Sequence, residues 1–167
     1  MELRLLSTEF QVIKLKKNHL DLILKLCQKN PLYYEFCPPF PTEESIEEDM
    51  KRLPPKKTSF DKFYVGFFKE NMLYAVMDFI AEYPNEKTVF IGFFMVNKEV
   101  QHRGVGSKII EEACLAWKKR FAFVRLGYVQ GNQQSESFWL KQGFEKTGIV
   151  VQEEKYSIVV LEKKLGG

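Results

Sequence analysis

Apolar and polar positions along the chain follow two periods, and the changes between them mark the elements. Phe10, Val12, Ile13 and Leu15 predict a first strand over residues 10–16. Leu20, Ile23, Leu24 and Cys27 recur at helical spacing. They predict a helix over 20–29, capped by Asn18 and stopped by Asn30-Pro31. Thr42 caps a second helix, with Glu43 and Glu44 in its first turn, where the dipole favours acids. Ile46, Met50 and Leu53 form its narrow buried stripe, and Pro54-Pro55 ends it. Strands follow over 63–69 and 72–82, joined by Glu70-Asn71, a turn of hairpin length. Pro84-Asn85-Glu86 turns the chain into residues 89–96, VFIGFFMV, which are apolar except for Gly92. Such a run is too short to cross a membrane and reads as a strand buried on both faces.

Past that strand the period becomes helical again. Val105, Ile109, Ile110, Ala113, Cys114 and Trp117 share one face of a helix over 104–120. It leads to a fifth strand over 124–130. A strand–helix–strand connection of this length makes strands four and five parallel neighbours or near neighbours. A fourth helix covers 132–142, and 144–152 and 156–164 form a final hairpin joined near Glu153-Glu154. The order predicts one α+β domain over 1–167, with a mixed, mostly antiparallel sheet of about seven strands flanked by four helices. Residues 32–41, rich in Tyr, Phe and Pro, read as an unusually aromatic loop.

Composition narrows the partners. Lys and Arg exceed Asp and Glu by 25 − 22 = +3, too little for the basic stripe that nucleic-acid binding needs. Cys27, Cys37 and Cys114 form no C-x-x-C pair, so neither a zinc site nor a disulfide framework is indicated. His19 and His102 alone argue against a histidine-based metal site. MELRLLSTEF lacks the apolar segment of a signal peptide, and a cytoplasmic protein off the membrane is expected.

Chemistry concentrates where the fourth strand ends. Gln101-His102-Arg103-Gly104-Val105-Gly106 connects it to the third helix. A helix's first turn carries unpaired N–H groups and the positive end of its dipole. Glycine lets a ligand approach that backbone, and such a terminus holds phosphate or pyrophosphate. Arg103 and Lys108 add positive charge. On the glycines alone, an anion cradle and an ordinary connection are equal readings. A dinucleotide fingerprint would need a third glycine at Ile109. A P-loop would need Gly-Lys-Ser/Thr, where the chain has Gly106-Ser107-Lys108. The failed fingerprints disfavour a nucleotide-dependent enzyme.

The pattern Q/R-x-x-G-x-G/A after a buried strand resembles the acetyl-CoA pyrophosphate loop of the GNAT superfamily of N-acetyltransferases. A second segment, Asn132 to Phe144, is similar to that superfamily's N-x-x-A-x-x-x-Y-x-x-x-G-F. Asn132, Gly143 and Phe144 match; Ser135 takes the small-residue position and Trp139 the tyrosine position. The resemblance implies a splay between strands four and five that receives acetyl-CoA as cosubstrate. Its pantetheine would pair with backbone near Met95 and Val96, and its pyrophosphate would sit on N–H groups of Arg103, Gly104, Val105, Gly106, Ser107 and Lys108. Gln101 would brace the loop, and Asn132, with Ser135 and Trp139 beside it, would meet the pantetheine arm. Asn132 also reads as the N-cap of the fourth helix. Lys141 reads equally as a phosphate contact and as a solvated surface lysine.

The implied reaction is direct attack of a primary amine on the thioester in a ternary complex. Strand four offers no acid in 89–96, so the candidates for base are Asp78 and, less so, Glu82, which share parity on strand three. Trp139 replaces a tyrosine that often acts as general acid, and Tyr128 is the substitute to test, although a packed aromatic is its plainer role. Tyr33, Tyr34 and Phe36 in the aromatic loop read equally as a plug over the core and as a wall for the acceptor. That acceptor is a small-molecule or peptide amine, with no nucleic acid or membrane involved, and the resemblance allows a homodimer. The lost tyrosine leaves a second reading open: a non-catalytic acyl-CoA-binding or regulatory module on the same fold.

Overall fold

The computed structural model describes residues 1–166. Seven strands make one sheet: β1 (Gln11–Lys14), β2 (Lys62–Lys69), β3 (Met72–Ala81), β4 (Thr88–Val96), β5 (Phe123–Val129), β6 (Glu145–Gln152) and β7 (Ser157–Lys164). Their spatial order is β1-β2-β3-β4-β5-β7-β6, antiparallel throughout except for the parallel pair β4–β5. Five helices accompany it: α1 (Leu20–Gln28), α2 (Pro31–Phe36), α3 (Glu43–Lys51), α4 (Val105–Trp117) and α5 (Gln133–Lys141). The expected strands and their connections are present, with boundaries moved by a few residues. No helix among the described residues is long and apolar enough to cross a membrane.

Local chemistry explains several elements. Thr42 caps α3 reciprocally, accepting from the Ser45 N–H (3.0 Å) while its own N–H donates to Ser45 Oγ (2.9 Å). Glu70 and Asn71 both take positive φ, 51° and 65°, as a two-residue hairpin turn requires. Other expectations change. Asn18 does not cap α1; it lies in a 3-10 turn, Lys17–His19, whose start is closed by the Lys16 N–H donating to His19 Nδ1 (2.9 Å). Of the α3 stripe only Ile46 is buried, because the helix ends at Lys51 and Leu53 lies outside it. The aromatic loop contains α2, a fifth helix. Pro31 stops α1, yet it also occupies the first turn of α2, where its missing N–H costs nothing.

Two cores sandwich the sheet. On one face Ile109, Ile110, Ala113 and Trp117 of α4 pack on Met77, Phe79, Val89, Ile91, Val124 and Leu126. On the other, Ile23 and Leu26 of α1 and Ile46 of α3 pack on Tyr64, Val76 and Met95. A β-bulge changes the alternation of β4. Asp78 pairs with Phe93 and Phe79 with Ile91, so Gly92 is the extra residue. Ile91 and Phe94 therefore face the α4 side, while Phe93 and Met95 face the α1 side. The fourth strand is consequently not buried along both faces: Gly92 is exposed, and Phe93, Phe94 and Val96 are half-buried.

Candidate active site

Strands β4 and β5 pair only from Thr88 to Ile91 and from Phe123 to Leu126. Beyond that, β4 stays with β3 through Val96, and Gly127–Val129 of β5 pair with β7. The sheet opens between them, as the resemblance implies. The Asn97 N–H donates to Tyr74 O (2.8 Å), and bonded and non-bonded pairs alternate along an antiparallel ladder. Phe94 and Val96 therefore turn their polar backbone groups into the gap, whereas Met95 turns its own toward Val76. The expectation named Met95 and Val96; the register gives the gap-facing groups to Phe94 and Val96 and leaves Met95 as part of the wall.

A cavity of about 720 Å³ occupies this opening. At its mouth the chain enters α4 through Gly104, in the left-handed region at φ 78°. That conformation suits glycine and aims the first turn of the helix at the cavity. The first intrahelical bond runs from the Lys108 N–H to Gly104 O (3.0 Å). The N–H groups of Val105, Gly106 and Ser107 thus precede it as unpaired helix-terminal donors. Gly106 is packed so closely that a Cβ would lie 3.2 Å from both Phe138 and Val96. These donors, with Lys98, His102 and Lys141 lining the same cavity, make a site for an extended anion.

Several expected residues converge here. Gln101 braces the loop, its Nε2 donating to Val96 O (2.8 Å) and Asn30 Oδ1 (2.7 Å). Asn132 caps α5, accepting from the Ser135 N–H (3.2 Å), and both line the cavity. Trp139 lines it too, buried against Phe94 (5.9 Å), Phe138 (4.9 Å) and Phe144 (5.2 Å). Gln142 ties α5 to α4, donating to Ser107 Oγ (2.9 Å). Arg103 does not line the cavity, and the Lys108 ammonium is paired with Glu9 (2.8 Å).

The acid–base candidates separate. Asp78 is buried on the α1 side, and a Cβ at Gly92 would lie 3.3 Å from its Oδ2, so the carboxyl rests against the bulge. Lys62 donates to Oδ2 (3.0 Å) and to Arg52 O (2.8 Å). Oδ1 is buried with no hydrogen-bond partner among the described residues. Burial pushes the carboxyl up to about 6, with Lys62 opposing. Glu82 does not share this side. It sits past the end of β3 at φ 57° and pairs with Arg120, beyond the C-terminus of α4. Tyr128 is buried in the α4-side core, its hydroxyl held up in pKa by burial and then by Glu136. It does not line the cavity.

Helix α2 closes the α1 side. Tyr33 lines the cavity and packs edge-on against Phe93 (5.7 Å) and Tyr34 (4.9 Å). Burial, then Cys37, holds the Tyr33 hydroxyl protonated. Tyr34 turns to Cys27 and Phe40. Phe36 lies 3.8 Å from where a Gly131 Cβ would be, beside the β5–α5 turn. The Cys37 thiol donates to the Tyr156 hydroxyl (3.6 Å), joining α2 to the start of the last hairpin strand. Sequence reasoning missed the bulge, although a lone glycine inside an apolar strand signals one. It also missed Asn30 and Phe138, which no local pattern marks.

Solved structures with this fold are many. An acetyltransferase from Thermus thermophilus superposes with a TM-score of 0.75 at 15% identity, covering 93% of this chain and 96% of that one. The ribosomal-protein-S18-alanine N-acetyltransferase from Escherichia coli gives 0.68 at 10% identity, with 95% of each chain covered. Ard1 from Thermoplasma volcanium gives 0.68 at 14%, covering 96% and 100%. Among curated protein sequences none matches significantly. Residues 29–144, which hold the glycine loop, the opening and the Asn132–Phe144 segment, match the Acetyltransferase (GNAT) family, and the chain belongs to it.

Proposed function

We propose that the protein transfers an acetyl group from acetyl-CoA to a primary amine by direct attack in a ternary complex. The observation that carries this is the parting of β4 from β5 beside the unpaired N–H groups of Val105–Ser107. The residues present fit the cosubstrate: an anion cradle, a glycine whose Cβ would press on Phe138 and Val96, and strand backbone freed where β4 and β5 part. Its diphosphate would rest on the N–H groups of Val105–Ser107, with Gln101 holding the loop and Lys141 available to a phosphate. Arg103 would contribute charge from solvent. Lys108 would contribute little while Glu9 holds it. The amide-bearing arm would lie along Phe94 and Val96, near Asn132, Ser135 and Trp139.

When bound, the thioester supplies an activated carbonyl: the amine nitrogen bonds to its carbon, the C–S bond breaks, and the sulfur leaves with the electron pair. A protonated amine of pKa near ~10.4 must first lose a proton. Asp78 is the base we assign: it does not itself line the cavity, so it would act through water from beneath the bulge, where its buried Oδ1 has no protein partner among the described residues. Glu82 is the weaker candidate, since Arg120 engages it. A backbone N–H of Phe94 or Val96 would steady the developing oxyanion. Trp139 offers no acidic proton, and Tyr128 is turned to Glu136. A thiol of pKa near ~8.5 leaves without an acid, so none is required. Tyr33 would wall the acceptor side, with Tyr34 packed edge-on behind it and Phe36 outside the cavity lining.

Incubation with acetyl-CoA and a panel of amines, following free thiol, tests the proposal. Amine-dependent thiol release is the expected result. Trp139 at the tyrosine position favours one other reading, a binding module on the same fold. Tight coenzyme A binding, read by thermal shift, with no thiol release from any amine would favour that module.

A further inference from the structure

Asn30 belongs to neither recognised motif, yet its side chain joins three parts of the site. Its Nδ2 donates to Leu26 O (3.0 Å), at the end of α1, and to Val96 O (3.3 Å), at the end of β4. Its Oδ1 accepts from Gln101 Nε2 (2.7 Å), in the anion-binding loop. An amide has two donor hydrogens and one acceptor oxygen, and here all are engaged. Gln101 Nε2 also donates to Val96 O (2.8 Å), so this one carbonyl receives both side chains. One residue away, Lys29 pairs with Glu99 (2.6 Å), tying the same end of α1 to the chain just before the loop. The next residue, Pro31, opens α2, and Tyr33 on that helix packs on Phe93 and lines the cavity.

We propose that Asn30 is a positioning residue that locks the acceptor-side helix α2 to the anion-binding loop, so that a ligand ordering the loop also orders α2. The inference rests on coenzyme A binding at the loop. Among the described residues, the Asn30 amide and the backbone it continues join Gln101 itself to α2, and the parallel Lys29–Glu99 pair is exposed and contributes little. Fixing Gln101 removes freedom from Asn30, and a second ligand meeting Tyr33 then finds that ordering already done. Linkage makes the effect mutual: an amine seated against α2 would tighten the loop by the same factor. The saturated Val96 carbonyl also restricts the opening. On β4, only the Val96 N–H and both polar groups of Phe94 remain for a ligand's amides.

Hydrogen exchange with and without coenzyme A tests this on the full chain. In the native protein the ligand slows exchange at residues 101–107 and, by about tenfold, at residues 32–37, within the usual range of coupling between sites. In Asn30→Ala the loop stays protected while protection of 32–37 is lost. Asn30→Asp is isosteric and guards against a folding defect. It can still accept from Gln101, but its second oxygen faces the Leu26 and Val96 carbonyls, which repel it; the side chain leaves its place and protection of 32–37 is lost, while the loop, still braced by Gln101 on Val96 O, stays protected. Equal protection of 32–37 in native and variant proteins, or none in the native protein beside a protected loop, overturns the proposal alone. No protection anywhere in the native protein overturns the functional reading and this proposal together.

Discussion

Strands β4 and β5 behave as two different structures along their length. From Thr88 to Ile91 they are zipped, with Val89, Ile91, Val124 and Leu126 buried beneath α4. From Gly92 onward they part, and the polar groups of Phe94 and the Val96 N–H, which would continue the ladder, face a cavity, while Val96 O is held by Asn30 and Gln101. Composition hardly distinguishes the halves, since VFI and FFMV are equally apolar. The difference lies in what surrounds them. The bulge at Gly92 re-aims the strand, and Phe138 and Trp139 occupy the α4 side of the space. Buried backbone groups without partners are costly. A fold that withholds pairing here, and completes it just before, has reserved those groups for something else.

Removing the proposed base should break the contrast most. Asp78→Asn is expected to lower turnover about 10²- to 10⁴-fold while coenzyme A affinity, measured by calorimetry, stays the same. Equal loss of binding would mean that the carboxylate holds the opening together. The same group predicts a pH limb. Its pKa is raised, so the carboxylate needed as base dominates above about 6 and is lost as pH falls through that value. Turnover under saturating substrates should then fall about tenfold per unit below pH 6, and Asp78→Asn should abolish that limb.

Filling the open half comes next. Gly106→Val puts a branched side chain where a Cβ alone lies 3.2 Å from Phe138 and Val96. Overpacking of this kind costs about 1–3 kcal/mol of stability, read as a lower Tm of the ligand-free protein, and coenzyme A affinity, measured by calorimetry, should fall as the added side chain displaces Phe138 and Val96 at the cavity wall. A smaller effect is expected from Trp139→Tyr, which restores the family's hydroxyl. Turnover should change less than about threefold, because a thiol of pKa near ~8.5 leaves without help. A larger rise would show that an acid is limiting after all. Least of all, Lys108→Ala should alter coenzyme A affinity less than about twofold, because an exposed ion pair held elsewhere contributes little.

Features fixed by a few neighbouring residues were legible in the sequence. Thr42 at the start of α3, Glu70 with Asn71, and Gly104 at the mouth of α4 each set their own backbone, and each stands where the pattern put it. The buried face of α4 was equally readable, because helical spacing alone assigns it. What escaped depends on residues far apart. Parity counting joined Asp78 to Glu82, but the strand ends at Ala81 and Arg120 draws Glu82 to another side. Asn30 reads as a stop signal, and only the distant Val96 and Gln101 reveal its amide. Pro31 carried two opposite meanings, helix stop and helix start, and both hold at once.

The lone extra residue at Gly92 works like a skipped stitch. Were this sequence paired one for one beyond Ile91, Phe93 would swing toward Trp139 and Phe94 toward Tyr33. With the stitch skipped, each ring takes the opposite side: Phe93 meets Tyr33 and Phe94 meets Trp139. Excising Gly92 would leave both rings where they are, because Ile91 and Phe93 would then follow each other as Phe79 and Asp78 do across the ladder. Such a shortened chain would lose only the kink, and so would isolate what bending by itself does to hold the two strands apart.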